Sequence, residues 1–468
     1  MQPLWTVAEA VAATGGRPEG LSDGPLSSVS IDSREIAHEA LFVAIKGDTL
    51  DGHDYVEAAL AAGASAALVS EDWHKAHAGE KLIVVPDPLE ALRALGRAAR
   101  ARSKALIVAV TGSAGKTTTK EAIRTVLAAA GKTHYSIKSF NNHWGVPLML
   151  ARLPREAQFG VFEIGMNHAG EITPLTRLVR PHVAVVTTVA AAHLEFFPSI
   201  SDIARAKAEI FEGLEEGGTV VLNTDHDYLH ILFERARELG IGRIVTYGYD
   251  DDADYCIATP EVAGPRTYAR VTRGDDALDL NLQVRGRHMV ANATAALAVS
   301  QIAGMDRYSA LRTLAEFDAT EGRGETTRIG PRDKPLLLVD ESYNANVASM
   351  NAAMEVFAMT PPLGGKKVLV LGDMLELGEQ GADLHRSLKN AVLATGASHV
   401  FLVGRAIEPL ADDLDEGLVA GRARRIEDLL EPILSSLAFG DAVMVKGSKG
   451  VRLASLVAEI KRRFSVAA

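Results

Sequence analysis

The chain of 468 residues has one cysteine, Cys256, and no excess of positive charge. A single cysteine excludes a disulfide framework and is typical of a reducing compartment. No spacing of cysteine and histidine residues resembles a zinc site, so any metal site should be rich in oxygen ligands. The formal net charge of −11 argues against a general nucleic-acid-binding protein, because nucleic-acid backbones are held by a basic excess.

Long apolar runs are absent as well. No stretch approaches the roughly 20 apolar residues that cross a bilayer. The N-terminal segment MQPLWTVAEAVAATGG lacks the basic start and the apolar centre of a secretion signal. We therefore expect a cytoplasmic protein that does not insert into a membrane, and we expect it to be a monomer.

The chain has enough length and apolar content for about three domains, and its patterns predict an α/β fold. Short apolar runs and helical stretches over 1–103 predict a small N-terminal α/β module. Residues 104–317 alternate apolar strands with helices, which predicts a parallel sheet covered on both faces and an antiparallel addition over 250–284. Residues 318–468 repeat the alternation and predict a doubly wound, Rossmann-like C-terminal domain.

The segment ALIVAVTGSAGKTTTKE at 105–121 is the most informative motif. An apolar strand runs into a Gly-rich turn and then into a helical pattern, as in a phosphate-binding loop. Backbone N–H groups and the positive helix end would hold phosphates, with Lys116 as a mobile charge and the Thr117 hydroxyl on Mg²⁺. Val110 stands where the common pattern has its first glycine, so a tight turn with a surface lysine is the alternative. We predict ATP binding by the central domain.

Polar residues beyond strand ends are candidates for a site, because ligands of open α/β sheets bind there. Glu163 ends an apolar run, and a buried unpaired charge costs several kcal/mol, which predicts Mg²⁺ ligation or a salt bridge. His193 follows the strand predicted at 183–189 and would orient a metal or water, or be a hydrogen-bonded loop histidine. Lys207, taken alone, is an ordinary surface lysine.

Four polar loops complete the set of candidates. The loop at 140–147, FNNHWGVP, offers many donors without charge, although turn chemistry alone would explain it. Loops at 340–346, 372–374 and 446–449 each follow a strand predicted in the C-terminal domain. Three polar loops at one sheet edge predict a binding face.

Taken together, these motifs resemble the Mur ligases. The resemblance rests on TGSAGKTTTKE at 111–121, SFNNHWGVPLML at 139–150, EIGMNHAGEI at 163–172, AHLE at 192–195, AKAEIFEGL at 206–214, VDESYNAN at 339–346 and LGDMLELGEQGADLH at 371–385. Residues 30–60 are similar to the family's N-terminal nucleotide-sugar module, so the resemblance spans the chain. The motifs look most like those of the members that add a D-alanyl-D-alanine dipeptide.

The resemblance implies that ATP phosphorylates the terminal carboxylate of UDP-MurNAc-tripeptide. The amine of D-alanyl-D-alanine then attacks the acyl phosphate, which gives the pentapeptide precursor of peptidoglycan. Catalysis would be mostly positioning and charge neutralisation between anionic groups. By the same resemblance, residues 1–103 bind the UDP-sugar, 104–317 bind ATP and 318–468 form the ligase domain. The third peptide residue would be diaminopimelate or lysine.

The resemblance also implies individual roles. The catalytic residues would be Lys116, Asn141, Asn142, His193 and Lys207. ATP would contact Gly112, Ser113, Ala114, Gly115, Lys116, Thr117, Thr118, Asn292, Arg323, Asp340 and Tyr343. The UDP-sugar side would contact Ser30, Asp32, Ser33, Arg34 and Lys46, and the dipeptide Asn344 and Asn346. Thr117 and Glu163 would hold one Mg²⁺, His193 a second, and Lys207 would be an anionic ligand as a carbamate. Lys449 stands where relatives commonly have arginine.

Other functions remain open at this stage. A sister enzyme of the same mechanism, either the ligase that adds the third residue or a folylpolyglutamate synthase, lacks the LGDMLELG and DESYNAN patterns. A phosphate-loop ATPase that couples hydrolysis to motion would hydrolyse ATP without an amino substrate. A non-catalytic nucleotide-binding protein is disfavoured by Lys116, Thr117 and Glu163.

Overall fold

The computed structural model describes residues 3–77, 79–264 and 266–465. Residues 1–2 and 466–468, at the outer ends of the predicted N-terminal and C-terminal domains, lie outside the described residues. The chain forms successive α/β regions, each with its own main sheet. The predicted α/β class and the mostly parallel sheets are confirmed. The limits of the domains at 103 and 317 stay a prediction.

The N-terminal region is built on a small sheet with the strand order β2-β7-β6-β5-β4, beside a short β1-β3 pair. The strands are β1 (Trp5–Thr6), β2 (Arg17–Glu19), β3 (Pro25–Leu26), β4 (Ser28–Ser30), β5 (Ala40–Val43), β6 (Ala66–Ser70) and β7 (Leu82–Val85), and the helices are α1 (Val7–Thr14), α2 (Val56–Ala61), α3 (Glu71–His74) and α4 (Pro88–Arg102). α4 begins at Pro88, and the carboxylate of the preceding Asp87 accepts hydrogen bonds from the N–H groups of Leu89 and Glu90, which caps the helix.

The central region holds a large sheet with the order β15-β16-β14-β13-β12-β11-β8-β10-β9, and β17 pairs with β16. Its strands are β8 (Leu106–Thr111), β9 (Thr133–Tyr135), β10 (Phe159–Glu163), β11 (Val183–Val186), β12 (Thr219–Asn223), β13 (Ile244–Gly248), β14 (Tyr255–Ile257), β15 (Glu261–Ala263), β16 (Arg266–Arg273) and β17 (Asp276–Leu282). Its helices are α5 (Lys116–Ala130), α6 (Gly145–Ala151), α7 (Ile172–Val179), α8 (Ile200–Ala208), α9 (Leu229–Glu238), α10 (Arg287–Ile302) and α11 (Arg307–Leu314). The predicted antiparallel addition is β15 to β17.

The C-terminal region forms a third sheet of order β18-β19-β23-β20-β21-β22, in which only the β18 pairing is antiparallel among the described residues. The strands are β18 (Glu325–Ile329), β19 (Leu336–Glu341), β20 (Lys367–Gly372), β21 (His399–Val403), β22 (Val419–Ala423) and β23 (Ala442–Lys446). The helices are α12 (Val347–Ala358), α13 (Gly381–Arg386), α14 (Lys389–Ala394), α15 (Glu408–Asp413), α16 (Leu430–Ser436) and α17 (Ala454–Phe464). Separate apolar clusters cover its two faces, as predicted for a doubly wound sheet.

The sequence pattern missed strands with weak apolar content. β18 (ETTRI) and β22 (VAGRA) are edge strands in which half-buried and exposed residues alternate, apart from the buried Ile329 at the end of β18, so they lack the apolar runs that mark inner strands. The helix that carries Lys207 is short. α8 ends at Ala208, and a 3-10 turn, Glu209–Gly213, continues the chain.

The N-terminal region packs directly on the central region. The Trp5 indole donates to the Ala151 carbonyl at 2.8 Å, and the Arg102 guanidinium lies 3.7 Å from the centre of the Trp5 ring. One continuous hydrophobic core includes Trp5, Leu95 of α4 and Met149 of α6. Burial of this shared apolar surface holds the two regions together. Over the described ranges, none of the helices combines the length and the hydropathy needed to cross a membrane.

Candidate functional site

The predicted phosphate loop connects the carboxyl end of β8 to the first residue of α5. Its glycines are required by the backbone, since Gly115 has φ +78° and Gly112 has φ +150°. A Cβ atom on Gly112 would lie 1.9 Å from Oγ1 of Thr187. Val110, which replaces the usual first glycine, is a buried residue inside β8. The shortened motif therefore begins after the strand has ended.

We expect Gly112→Ala to weaken ADP binding by at least about tenfold, because the loop must shift to remove the clash with Thr187. Calorimetric titration of ADP measures this change. Gly242→Ala is the matched control, since a Cβ there meets nothing within 4 Å. Equal ADP affinities in the two variants would contradict the importance assigned to this turn.

Glu163, at the end of β10, is a buried carboxylate, as predicted, and only 1% of its residue surface is exposed. Its oxygens accept hydrogen bonds from the Thr117 hydroxyl and the Asn141 amide, each at 2.8 Å. Among the described residues, no lysine or arginine nitrogen lies within 4.0 Å of this carboxylate. The carboxylate thus has no cation paired with it at salt-bridge distance, which fits Mg²⁺ held by Thr117, Glu163 and phosphate oxygens.

Lys116 is half-buried at the start of α5, and its Nζ donates to the Gly112 carbonyl at 2.6 Å. Burial lowers the pKa of Lys116, the Glu163 carboxylate raises it, and the charge of Arg323 lowers it further. The Lys116 ammonium therefore lies at the turn and near the Glu163 carboxylate, where a cation is suited to neutralising phosphate charge.

Lys207 is not the surface residue that its sequence context indicated. It lies near the end of α8 with 2% of its surface exposed. Burial, together with the nearby charge of Lys116, lowers the pKa of Lys207 well below its ordinary value. Within the described ranges, its ammonium has neither a hydrogen-bond partner nor an ion-pair partner.

His193 follows β11 in a left-handed conformation, with φ +60°. Its Nδ1 lies 2.5 Å from Oε2 of Glu376, a residue of the C-terminal region. This hydrogen bond from His193 lowers the pKa of Glu376. Glu376 lies in the segment LGDMLELG, and no role was predicted for it. His193 follows β11 as predicted, although the strand ends at Val186 rather than at the predicted Val189 and His193 precedes a 3-10 turn, Leu194–Phe196. Its carboxylate partner was not predicted.

The phosphate loop, Glu163, His193 and Glu376 meet at a cavity of about 710 Å³ between the central and C-terminal regions. The predicted site residues on its wall are Ser113, Ala114, Gly115, Lys116, Thr117, Thr118, Asn141, Glu163, His193, Asn292, Arg323, Tyr343, Asn344, Asn346 and Lys449. Gly112, Asn142, Lys207 and Asp340 do not line it, nor do Ser30, Asp32, Ser33, Arg34 and Lys46. The structure therefore brings together the phosphate loop and the polar C-terminal loops, and leaves the N-terminal candidates elsewhere.

The C-terminal residues on the wall form a stacked cluster. The Arg323 guanidinium lies 4.2 Å from the centre of the Tyr343 ring, and Lys449 Nζ lies 5.8 Å from it. The Tyr343 hydroxyl is hydrogen-bonded to Ser139 of the central region. Asn346 donates from Nδ2 to the Ser113 carbonyl at 3.0 Å, which links α12 to the phosphate loop. The cluster presents cations and an aromatic face beside the phosphate loop.

Several candidates instead have local structural partners. The Asn142 side chain accepts the Gly145 N–H at 2.9 Å at the start of α6, and the Asp340 carboxylate accepts the Ser342 N–H and hydroxyl. The Asp373 carboxylate accepts the N–H groups of Arg405 and Ile407, so the loop at 372–374 does not belong to the predicted binding face. Polar residues beyond strand ends satisfy backbone groups there as readily as they bind ligands.

Most of the N-terminal candidates lie on a separate polar face, whereas Ser30 is buried, with 2% of its surface exposed. Arg34 pairs with Asp32 at 2.7 Å, and its hydrogen bond lowers the pKa of Asp32 to about 2. Lys46 lies 3.9 Å from Asp51. Lys138 pairs with Glu35 at 2.6 Å, which joins this face to the segment that leads to Asn141. A ligand that contacts both this face and the cavity would have to be long.

The sequence patterns did not indicate the part of the cavity wall that follows the ends of β12 and β13. Asn223 and Asp225 lie there, and the Arg287 guanidinium stacks on Tyr249 with its carbon 4.2 Å from the ring centre. Burial raises the pKa of Asp225. The rule that ligands bind beyond the carboxyl ends of strands could have found these residues.

Comparison with known proteins gives consistent matches along the chain. Three family models match: "Mur ligase family, catalytic domain" at 25–100, "Mur ligase middle domain" at 110–300 and "Mur ligase, glutamate ligase domain" at 322–449. The UDP-N-acetylmuramoyl-tripeptide–D-alanyl-D-alanine ligase of Escherichia coli is 36% identical over 404 residues, 86% of either chain.

Solved structures agree. The crystal structure of MurF from Acinetobacter baumannii superposes with a TM-score of 0.84 at 27% identity, covering 98% of this chain and 99% of that one. MurF ligase from Thermotoga maritima in complex with ADP gives a TM-score of 0.78 at 25% identity, covering 94% and 98%. The three family models and the full-length relatives show that the chain belongs to the Mur ligase family.

Proposed function

We propose that this protein is an ATP-dependent ligase that joins D-alanyl-D-alanine to UDP-MurNAc-tripeptide and forms UDP-MurNAc-pentapeptide. The observation that supports this proposal most directly is the shared cavity, in which the phosphate loop and Glu163 face the C-terminal residues Tyr343 and Asn344. The substrates in this proposal come from the names of relatives whose sequences and structures match most of the chain.

The proposed reaction has two steps. A carboxylate oxygen of the tripeptide attacks the γ-phosphorus of ATP, the bond to the β-phosphate oxygen breaks, and ADP leaves. The amine of the dipeptide then attacks the acyl carbon, loses a proton, and expels inorganic phosphate as the amide forms. Phosphorylation is needed because a free carboxylate is a poor acyl donor.

The residues of the chain would act mainly by holding anionic groups together. Backbone N–H groups at 113–118 and the Lys116 ammonium would neutralise the ATP phosphates. Thr117 and Glu163 would hold Mg²⁺, which when bound neutralises developing charge on the transferred phosphoryl group. Asn141, hydrogen-bonded to Glu163, would orient that carboxylate. Arg323 and Lys449 would approach the nucleotide from the C-terminal side.

We further propose that Lys207 is carbamoylated. The buried Lys207 ammonium beside Lys116 is unfavourable, and its lowered pKa raises the share of neutral amine available at neutral pH. The neutral Nζ attacks the carbon of CO₂, and a proton is lost to solvent, which leaves an anionic carbamate. A negative group there would pair with the Lys116 charge and could serve as a metal ligand. Mass spectrometry under CO₂-equilibrated, non-acidic conditions tests for the added mass.

The N-terminal face would hold the UDP-sugar end of the substrate. Ser30, Asp32, Ser33, Arg34 and Lys46 are the residues proposed for this role. The peptide would then extend past Lys138 toward the cavity. Because the proposed contacts come from all regions of the chain, domain closure on ATP and substrate is expected. We also propose that the enzyme is a monomer and is cytoplasmic.

Phosphate release from ATP tests the function. We expect release only when UDP-MurNAc-tripeptide and D-alanyl-D-alanine are both present, with a pentapeptide product identified by mass. The reason is that the acyl phosphate turns over only when an amine attacks it. Paired assays with the diaminopimelate and lysine tripeptides would show which third residue is preferred.

The controls separate the alternative functions. Assays that omit either substrate reveal a coupled ATPase, which would release phosphate without them. Replacing the dipeptide with diaminopimelate or glutamate, with their matching acceptors, tests the sister ligases and folylpolyglutamate synthesis. Release that is independent of both substrates would overturn the proposed function.

A further inference from the structure

The His193–Glu376 pair crosses the cleft between the central and C-terminal regions. His193 Nδ1 and Glu376 Oε2 are 2.5 Å apart, and both residues line the cavity. The Glu376 carbonyl also accepts the Glu195 N–H at 3.0 Å. Gly378 packs so closely on this segment that a Cβ there would lie 3.2 Å from the Glu195 Cα. The two segments thus dock through backbone and side chain together.

The backbone of the pair is held in an uncommon conformation on both sides. His193 has φ +60° and Glu376 has φ +63°, values that residues other than glycine adopt rarely and at a cost of about 1 kcal/mol or more. These turns aim the imidazole and the carboxylate at each other from different sheets. Strained backbone of this kind clusters at functional sites.

We propose that Glu376 is a positioning residue for His193. The tautomer of His193 at the phosphate-transfer site then depends on docking of the C-terminal domain. By accepting the Nδ1–H, the carboxylate selects the tautomer whose unprotonated Nε2 is free to face the site. With the C-terminal domain undocked, His193 loses this partner and its tautomer is no longer selected. The inference rests on the proposed function of the site, although its structural readout does not.

The first test is the tautomer of His193 in the full chain, observed by ¹⁵N NMR of histidine-labelled protein at pH about 8, where an ordinary imidazole is neutral. Loss of one signal set in His193→Gln assigns the resonances. We expect an Nδ1-protonated ring in the wild type. We expect a shift toward the Nε2-protonated form in Glu376→Ala, and a smaller shift in Glu376→Gln, which keeps an acceptor oxygen. An Nε2-protonated or doubly protonated wild-type ring would overturn the inference.

Kinetic measurements distinguish a positioning role of Glu376 from a role in docking of the C-terminal domain alone. We expect Glu376→Ala to lower kcat by about 10- to 100-fold while the KM for ATP changes little, because carboxylate partners of metal-binding histidines have effects of this size. Glu379→Gln is the matched control, since Glu379 is an exposed carboxylate in the same segment. In a His193→Ala background, adding Glu376→Ala should change kcat by less than about twofold.

Failure of this inference and failure of the proposed function give different experimental results. If the wild type lacks ligase activity but shows the Nδ1-protonated ring and its dependence on Glu376, only the proposed function fails. If the wild type is an active ligase and Glu376→Ala lowers kcat equally in both backgrounds, the carboxylate acts independently of His193 and the inference fails.

Discussion

Lys116→Ala should lower kcat/KM for ATP by at least about a hundredfold, the effect expected when a charge on the transferring phosphate is lost. Lys116 lies at the N-terminus of α5 and reaches back to the Gly112 carbonyl, which places its ammonium at the phosphate loop. Initial-rate kinetics of phosphate release, with both other substrates saturating, measures the change. Lys116→Arg should be almost as impaired, because the guanidinium fork cannot replace a compact charge in a closed turn.

The control for this variant is Lys104→Ala, which removes an exposed lysine of the same region. The midpoint of thermal unfolding of Lys116→Ala should stay close to that of the wild type. Removing the ammonium also removes the free energy that its desolvation costs, which offsets the lost contacts. A Lys116→Ala enzyme with rates near the wild type would remove this residue from the mechanism.

Lys207→Ala should lower kcat by at least about tenfold, and small carboxylic acids such as formate or acetate should restore part of the activity. The physical reason is that the proposed carbamate is an anion beside Lys116, and a free carboxylate can occupy the space left by the side chain. Rates measured against increasing concentrations of the acid, at constant ionic strength, check this expectation.

Lys116→Ala serves as the control for rescue, because a carboxylate cannot replace a lost cation. The same acids should leave that variant unchanged. Full activity of Lys207→Ala without any added acid would show that the lysine has a packing role only, and an impaired enzyme that no acid restores would count against the carbamate.

Much of the fold followed from local patterns. The strands at β8, β10, β11 and β20 are apolar runs buried on both faces of parallel sheets, so their sequences alone indicated them. Edge strands such as β18 were missed, because one face is in water and the apolar run disappears. The phosphate loop was also readable, since its glycines, lysine and threonine are adjacent in the chain and act within one turn.

Sequence reasoning was weaker for candidates whose role depends on surroundings. Lys207 was indistinguishable from a surface lysine until its burial beside Lys116 was seen. Asp373 looked like part of a binding face and proved to be a cap for backbone N–H groups. Both polar side chains have ordinary sequence neighbours, and the energy of a charged group depends on its solvation and partners rather than on those neighbours.

The sequence by itself determined the α/β architecture, the phosphate loop and the family, because these depend on periodicity and on motifs a few residues long. Only the tertiary structure decided which distant side chains meet. His193 and Glu376 are 183 residues apart in the chain, and Asn346 reaches Ser113 across 233 residues. Such contacts follow from how the sheets are docked against one another, and that docking is set by the burial of surfaces shared between regions rather than by any local pattern.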